Sequence, residues 1–138
     1  MWWFEQYLGK PFDKPADPPR SFNCGILGQY ILKAHCGIET PLIYADSDDI
    51  RQCFDNLADP SYYDLYPFEG PIREFDIAFM MRRVRRDHLG VAVRTSDGMQ
   101  ILHCMKRVGV ILQTPTEVMA TTGARLIEWV RHRELQHA

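Results

Sequence analysis

Residues 73–114, REFDIAFMMRRVRRDHLGVAVRTSDGMQILHCMKRVGVILQT, decide the fold. Four short apolar or alternating runs lie in this stretch: FDIAFMMRR, HLGVAVR, MQILHCM and VGVILQT. Turn signals separate them, which is the pattern of consecutive antiparallel strands. Downstream, TPTEVMAT predicts one or two helical turns. ARLIEWVRH reads as a last strand, with a helix as the rival.

Upstream the period changes. In residues 21–37, SFNCGILGQYILKAHCG, the positions Leu27, Tyr30, Ile31 and Ala34 follow helical spacing. Asn23 suits the N-cap, with Ser21 as the rival. Gly37 suits the residue just past the end, followed by Ile38 for the usual hydrophobic contact. The prediction is a helix over 24–36. DSDDIRQCFDNL predicts a second helix over roughly 47–57, with Ser47 or Asp46 as its cap. Residues 2–8 read as a short apolar helix, and KPFDKPADPPR as a stiff, irregular connection. Residues 58–72 read as a long loop with three tyrosines. Helices first and strands afterwards mean α+β, with helices packed on an antiparallel sheet.

At 138 residues the expectation is a single domain, 1–138, large enough to bury a core. A net charge of −2 gives no electrostatic case for nucleic acid. The start, MWWFEQYLGKPF, has neither the cationic leader nor the apolar segment of a signal peptide. No run approaches the ~20 apolar residues of a membrane span. The expectation is therefore a chain made in the cytoplasm, with its four cysteines reduced. Cys36 follows His35 and Cys104 follows His103. Adjacent donors point in different directions, so the expectation includes no metal site.

Cys24 stands out because it opens a helix. The exposed N–H groups and macrodipole there favour a thiolate. A thiolate nucleophile also needs an imidazole to take its proton, and a third polar group to fix that imidazole. His88 at one strand start and His103 in the next strand are the candidates. From spacing alone, the plainer reading is Cys24 as a small core residue and His103 as a hydrogen-bonded core histidine.

The order of motifs resembles the NlpC/P60 cysteine peptidase family, most of all the short versions found with phage tails. YLGKPF is similar to the family's glycine-x-proline-aromatic element. FNCGILGQYILKAHCGIETP is similar to its Asp-Cys-x-Gly-Leu helix, and REFDIAFMM to its Gly-Asp-Ile strand. DHLGVAV and ILHC are similar to its His-Val-Gly-Ile and Ile-His-Ala strands, and RVGVILQTP to the strand after them. The resemblance spans roughly residues 5–132. It implies a papain-like fold with Cys24 as nucleophile, His88 as base and His103 orienting it, and no cofactor. The implied reaction is amide hydrolysis in peptidoglycan stem peptides, in a phage-tail or cell-wall setting, with other tail proteins as further partners. An inactive binding module or an acyltransferase on the same fold are the alternatives. Asn23 stands where the family has Asp, Ile26 where it keeps a small residue, Phe12 where it has Tyr, and Phe75 where it has Gly. Phe12 and Asn23 are candidate substrate contacts. So are Arg85 and Arg86 of RRVRR, since Arg binds carboxylates bidentately; a solvated turn is the plainer reading of that run.

Overall fold

The computed structural model describes residues 2–41, 57–83 and 85–136. The predicted helix over 47–57 lies outside the described residues up to its last position, Leu57, which is fully buried. Six antiparallel strands form one sheet: β1 (Leu65–Tyr66), β2 (Ile77–Arg82), β3 (Arg85–Thr95), β4 (Gly98–Met105), β5 (Gly109–Gln113) and β6 (Leu126–His132). Their order across the sheet is β1-β6-β2-β3-β4-β5. Helix α1 (Cys24–Cys36) packs on one face. Helix α2 (Pro115–Thr122) packs on the other. The protein is mixed α+β, and no described helix is long and apolar enough to cross a membrane.

Local chemistry sets the ends of α1. The Asn23 side chain accepts from the Ile26 N–H at 2.8 Å. Gly37 takes the left-handed conformation at φ +66°, and the N–H groups of Gly37 and Ile38 close onto the Lys33 and Leu32 carbonyls. Ser21 instead accepts from the Asp17 N–H. The buried face is Leu27, Gly28, Ile31 and Leu32, and Ala34 is exposed. That face is turned by about one position from the expected one, because Gly28 is the point of closest approach. A Cβ there would sit 3.0 Å from Leu89 Cδ1. Burying Leu27, Ile31 and Leu32 stabilises this contact by about 1.5–3 kcal/mol each.

Strand alternation builds two cores. Ile77, Phe79, Leu89, Val91, Val93, Leu102 and Val110 face α1. Ala78, Met80 and Ile101 face α2, where Val118, Ala124, Ile127 and Trp129 join them. The stretch 58–72 is more ordered than a loop. Pro60–Tyr63 forms a 3-10 turn capped by Asp59, and Leu65–Tyr66 pairs with β6 as β1. Tyr63 is buried while Tyr62 is 68% exposed. A two-residue strand without alternation leaves no period to read, which is why the sequence reads as loop there.

The β3–β4 hairpin positions the site. Paired residue numbers sum to 193, from Thr95↔Gly98 to Val91↔Leu102. The sequence motif Asp97-Gly98 favours a two-residue turn in a different register, in which His103 would face Ala92. The chain instead turns at Ser96-Asp97, and Gly98, at φ +106°, opens β4. A four-residue loop over 95–98 gives the same register, but the real turn is tighter. Thr95 Oγ1 closes it by donating to the Gly98 carbonyl and accepting from the Asp97 N–H.

Candidate functional site

In this register Gly90 lies beside His103, two residues from His88. A Cβ on Gly90 would sit 2.9 Å from the Leu102 carbonyl oxygen and 3.1 Å from His103 Cβ. Only glycine lets the strands come this close. The β3–β4 ladder ends at Val91↔Leu102, although β3 runs back to Arg85 and β4 on to Met105. Side chains bridge this unpaired end: His88 Nε2 and His103 Nδ1 lie 2.9 Å apart. A bulge at Asp87 in the β2–β3 ladder sets the angle of His88, which is paired with Met80.

The hydrogen bonds continue beyond the two rings. His103 Nε2 lies 2.9 Å from Gln113 Oε1. Gln113 Nε2 donates to Thr121 Oγ1 at 3.0 Å, and Thr121 donates to the Glu117 carbonyl at 2.8 Å. His88, His103 and Gln113 all lie on the α2 side of the sheet. His88 and Gln113 pair with Met80 and Ile101 of that core.

Burial favours the neutral form of both histidines. His88 is 6% exposed and His103 fully buried. Burial is the main force pushing the His88 pKa well down, and His103 and then Arg82 push it further. Burial also lowers His103, with its bond to Gln113 pulling slightly the other way. His88 uses Nε2 on His103, and its Nδ1 makes no hydrogen bond to a described residue.

Cys24 lies on the α1 side, 2% exposed, in the core that contains Leu89 and Cys104. The start of α1 reaches the same end of the sheet as the histidines, since Cys104 Sγ donates to the Phe22 carbonyl at 3.4 Å. The structure brings His88 and His103 into contact, and it leaves Cys24 on the opposite face, in the α1-side core. Cys24, Cys36 and Cys104 form no disulfide, and Cys53 lies outside the described residues. Burial pushes the Cys36 thiol up to about 11 and the Cys104 thiol up to about 12.

The remaining candidates fall into place around α1 and β3. Asn23 is buried and spends its side-chain oxygen as the helix cap. Phe12 is half-buried and bridges to Phe22, beside the start of α1. Arg85 is exposed at the start of β3, opposite Arg82. Arg86 is engaged within the fold. Its Nε and Nη2 grip Glu128 at 2.6 and 3.1 Å, and Nη1 donates to the Leu57 and Ala58 carbonyls.

Two features escaped sequence reasoning. Gln113 is a polar residue on a strand of VGVIL character, and its place directly before the capping residue Thr114 was the available signal. Asp76 accepts from both Nε and Nη2 of the buried Arg131, at 2.6 and 2.8 Å. Phe68 covers the same guanidinium, with its ring centre 3.9 Å from Cζ.

No protein-family model matches the chain, and no curated protein matches it.

Proposed function

We propose that the protein is a cysteine peptidase or amidase of the NlpC/P60 type, with a papain-like arrangement, acting on peptidoglycan stem peptides. The observation that carries this reading is the His88–His103 pair where the β3–β4 ladder stops, at the end of the sheet where α1 begins. With Nε2 of His88 engaged, Nδ1 is the nitrogen that would take the proton of Cys24, which reaches the pair only past the ends of β3 and β4, since Cys24 and His88 lie on opposite faces of the sheet. Phe75 lends support. It holds φ +74°, a conformation that favours glycine, at the position where the resembling family carries one. Asn23 supports it too, because its cap does for the helix what an aspartate would do.

The chemistry runs as follows. His88 Nδ1 takes the Cys24 thiol proton, and the thiolate adds to the amide carbonyl carbon. Asn23 takes up the Ile26 and Leu27 N–H groups through its side chain and carbonyl. A backbone N–H of the first turn of α1 would then stabilise the developing oxyanion. The intermediate collapses to a thioester and expels the amine, which receives the proton from His88. Water then adds to the thioester with His88 as base, which releases the acid and restores the thiol.

Incubation of the purified chain with stem-peptide fragments tests the reading. The expected result is a gain of one water across a peptide bond by mass spectrometry, abolished in Cys24→Ala and His88→Ala. Cleavage that survives either substitution, or no cleavage by the folded wild type, overturns it. The tail-associated setting and the partners the resemblance implies belong to the same proposal.

A further inference from the structure

The Glu117 carbonyl on α2 can only accept a hydrogen bond, and it fixes the direction of the whole chain that leads to His88. Thr121 must donate to it, at 2.8 Å. The Thr121 oxygen is then an acceptor for Gln113, which must present its NH2 there, at 3.0 Å. That turns Gln113 Oε1 toward His103, at 2.9 Å, and an amide oxygen accepts only. His103, which burial favours as the neutral ring, therefore carries its proton on Nε2 and accepts at Nδ1. His88 must donate Nε2–H to that Nδ1, at 2.9 Å. Its own Nδ1 is left as a bare lone pair.

We propose that Gln113, anchored by Thr121, is a positioning residue that sets the tautomer of both histidines and so presents His88 Nδ1 as a base. The functional consequence rests on the Cys24–His88 reading above; the tautomer assignment does not. Reversing any one link reverses all those beyond it. If His103 became an imidazolium, both its nitrogens would donate. His88 Nε2 would then have to accept, and its proton would move to Nδ1, which removes the base. A carboxylate at position 113 has this effect, because it stabilises a charged His103. Among the described residues, the other charged groups beside the pair are Arg82 at the end of β2 and Asp87 in the bulge, which are paired with each other. Glu117 on α2 spends its side chain on the Thr114 N–H.

The test is long-range ¹⁵N–¹H NMR of the two imidazoles in the full chain at neutral pH. In the wild type both rings should show Nε2–H and an unprotonated Nδ1. Gln113→Glu should give two protonated nitrogens on His103 and move the His88 proton to Nδ1. Thr121→Val changes an exposed helix position and frees the Gln113 amide to turn. It should raise the share of the wrong tautomer about fivefold, the worth of one net hydrogen bond. Thr121→Ser should restore the wild-type spectrum. An Nδ1–H in either wild-type ring, a neutral His103 in folded Gln113→Glu, or a Thr121→Val spectrum identical to that of Thr121→Ser would each overturn the inference. The stem-peptide assay separates the two claims. Correct tautomers without cleavage sink the peptidase and leave the positioning role, whereas cleavage with tautomers indifferent to Gln113 does the reverse. Where both hold, Gln113→Glu should lower kcat at least tenfold while KM stays within about twofold.

Discussion

Gly90→Ala is the substitution that the site tolerates least. The added Cβ would lie 2.5 Å from Ile101 Cγ2, 2.9 Å from the Leu102 carbonyl oxygen and 3.1 Å from His103 Cβ. The Ile101 methyl can move, but the carbonyl belongs to the last ladder pair, Val91↔Leu102, and yields only if β4 shifts. Overpacking of this kind costs typically 1–3 kcal/mol, and a backbone obstacle puts Gly90→Ala at ~2–3. For a chain of this length that lowers Tm by about 6–15 °C. Gly28→Ala is the control. Its Cβ would meet only the flexible end of Leu89, at 3.0 Å. Alanine also gains about 1 kcal/mol over glycine in a helix interior, so the two effects should nearly cancel. Scanning calorimetry of the three proteins, with the His88–His103 coupling read by NMR, decides the matter. Equal Tm values for Gly90→Ala and wild type, with the imidazole signals unchanged, would refute the close strand approach on which the site depends.

Acidification should destabilise the protein below about pH 6.5. His88 and His103 both have folded pKa values below the unfolded one, so the unfolded chain binds more protons. Their contribution is fully present above the unfolded pKa and is lost as pH falls through and below it, measurable by urea titration. Asn23→Ala should cost ~1 kcal/mol through the lost cap of α1, and Asn23→Asp should cost little. Asp76→Ala leaves Arg131, 3% exposed, without its carboxylate. The expected loss is ~3–5 kcal/mol, partly recovered when Arg131→Met is added, as read by thermal melts.

How much could be read in advance depended on how local the cause was. The helix over 24–36 was legible because Asn23 and Gly37 mark its ends by their own backbone chemistry. β2 to β6 were legible because each is a run long enough to alternate. The β3–β4 register was not legible in the turn. The turn motif favoured another register, and either one keeps the same residues buried, since they differ by two positions. The relay through Gln113 and Thr121 was not legible, because it joins a strand end to a helix that no period links. The Asp76–Arg131 pair spans 55 positions and escaped for the same reason.

The most direct measurement of the central claim is the rate of iodoacetamide alkylation at each cysteine, followed by peptide mass spectrometry in wild type and His88→Ala. Cys36 and Cys104 are held protonated by burial. Cys24 should therefore react first at mild pH, and its rate should fall when His88 is removed. Faster labelling of Cys36, Cys53 or Cys104, or a Cys24 rate indifferent to His88, would contradict the account.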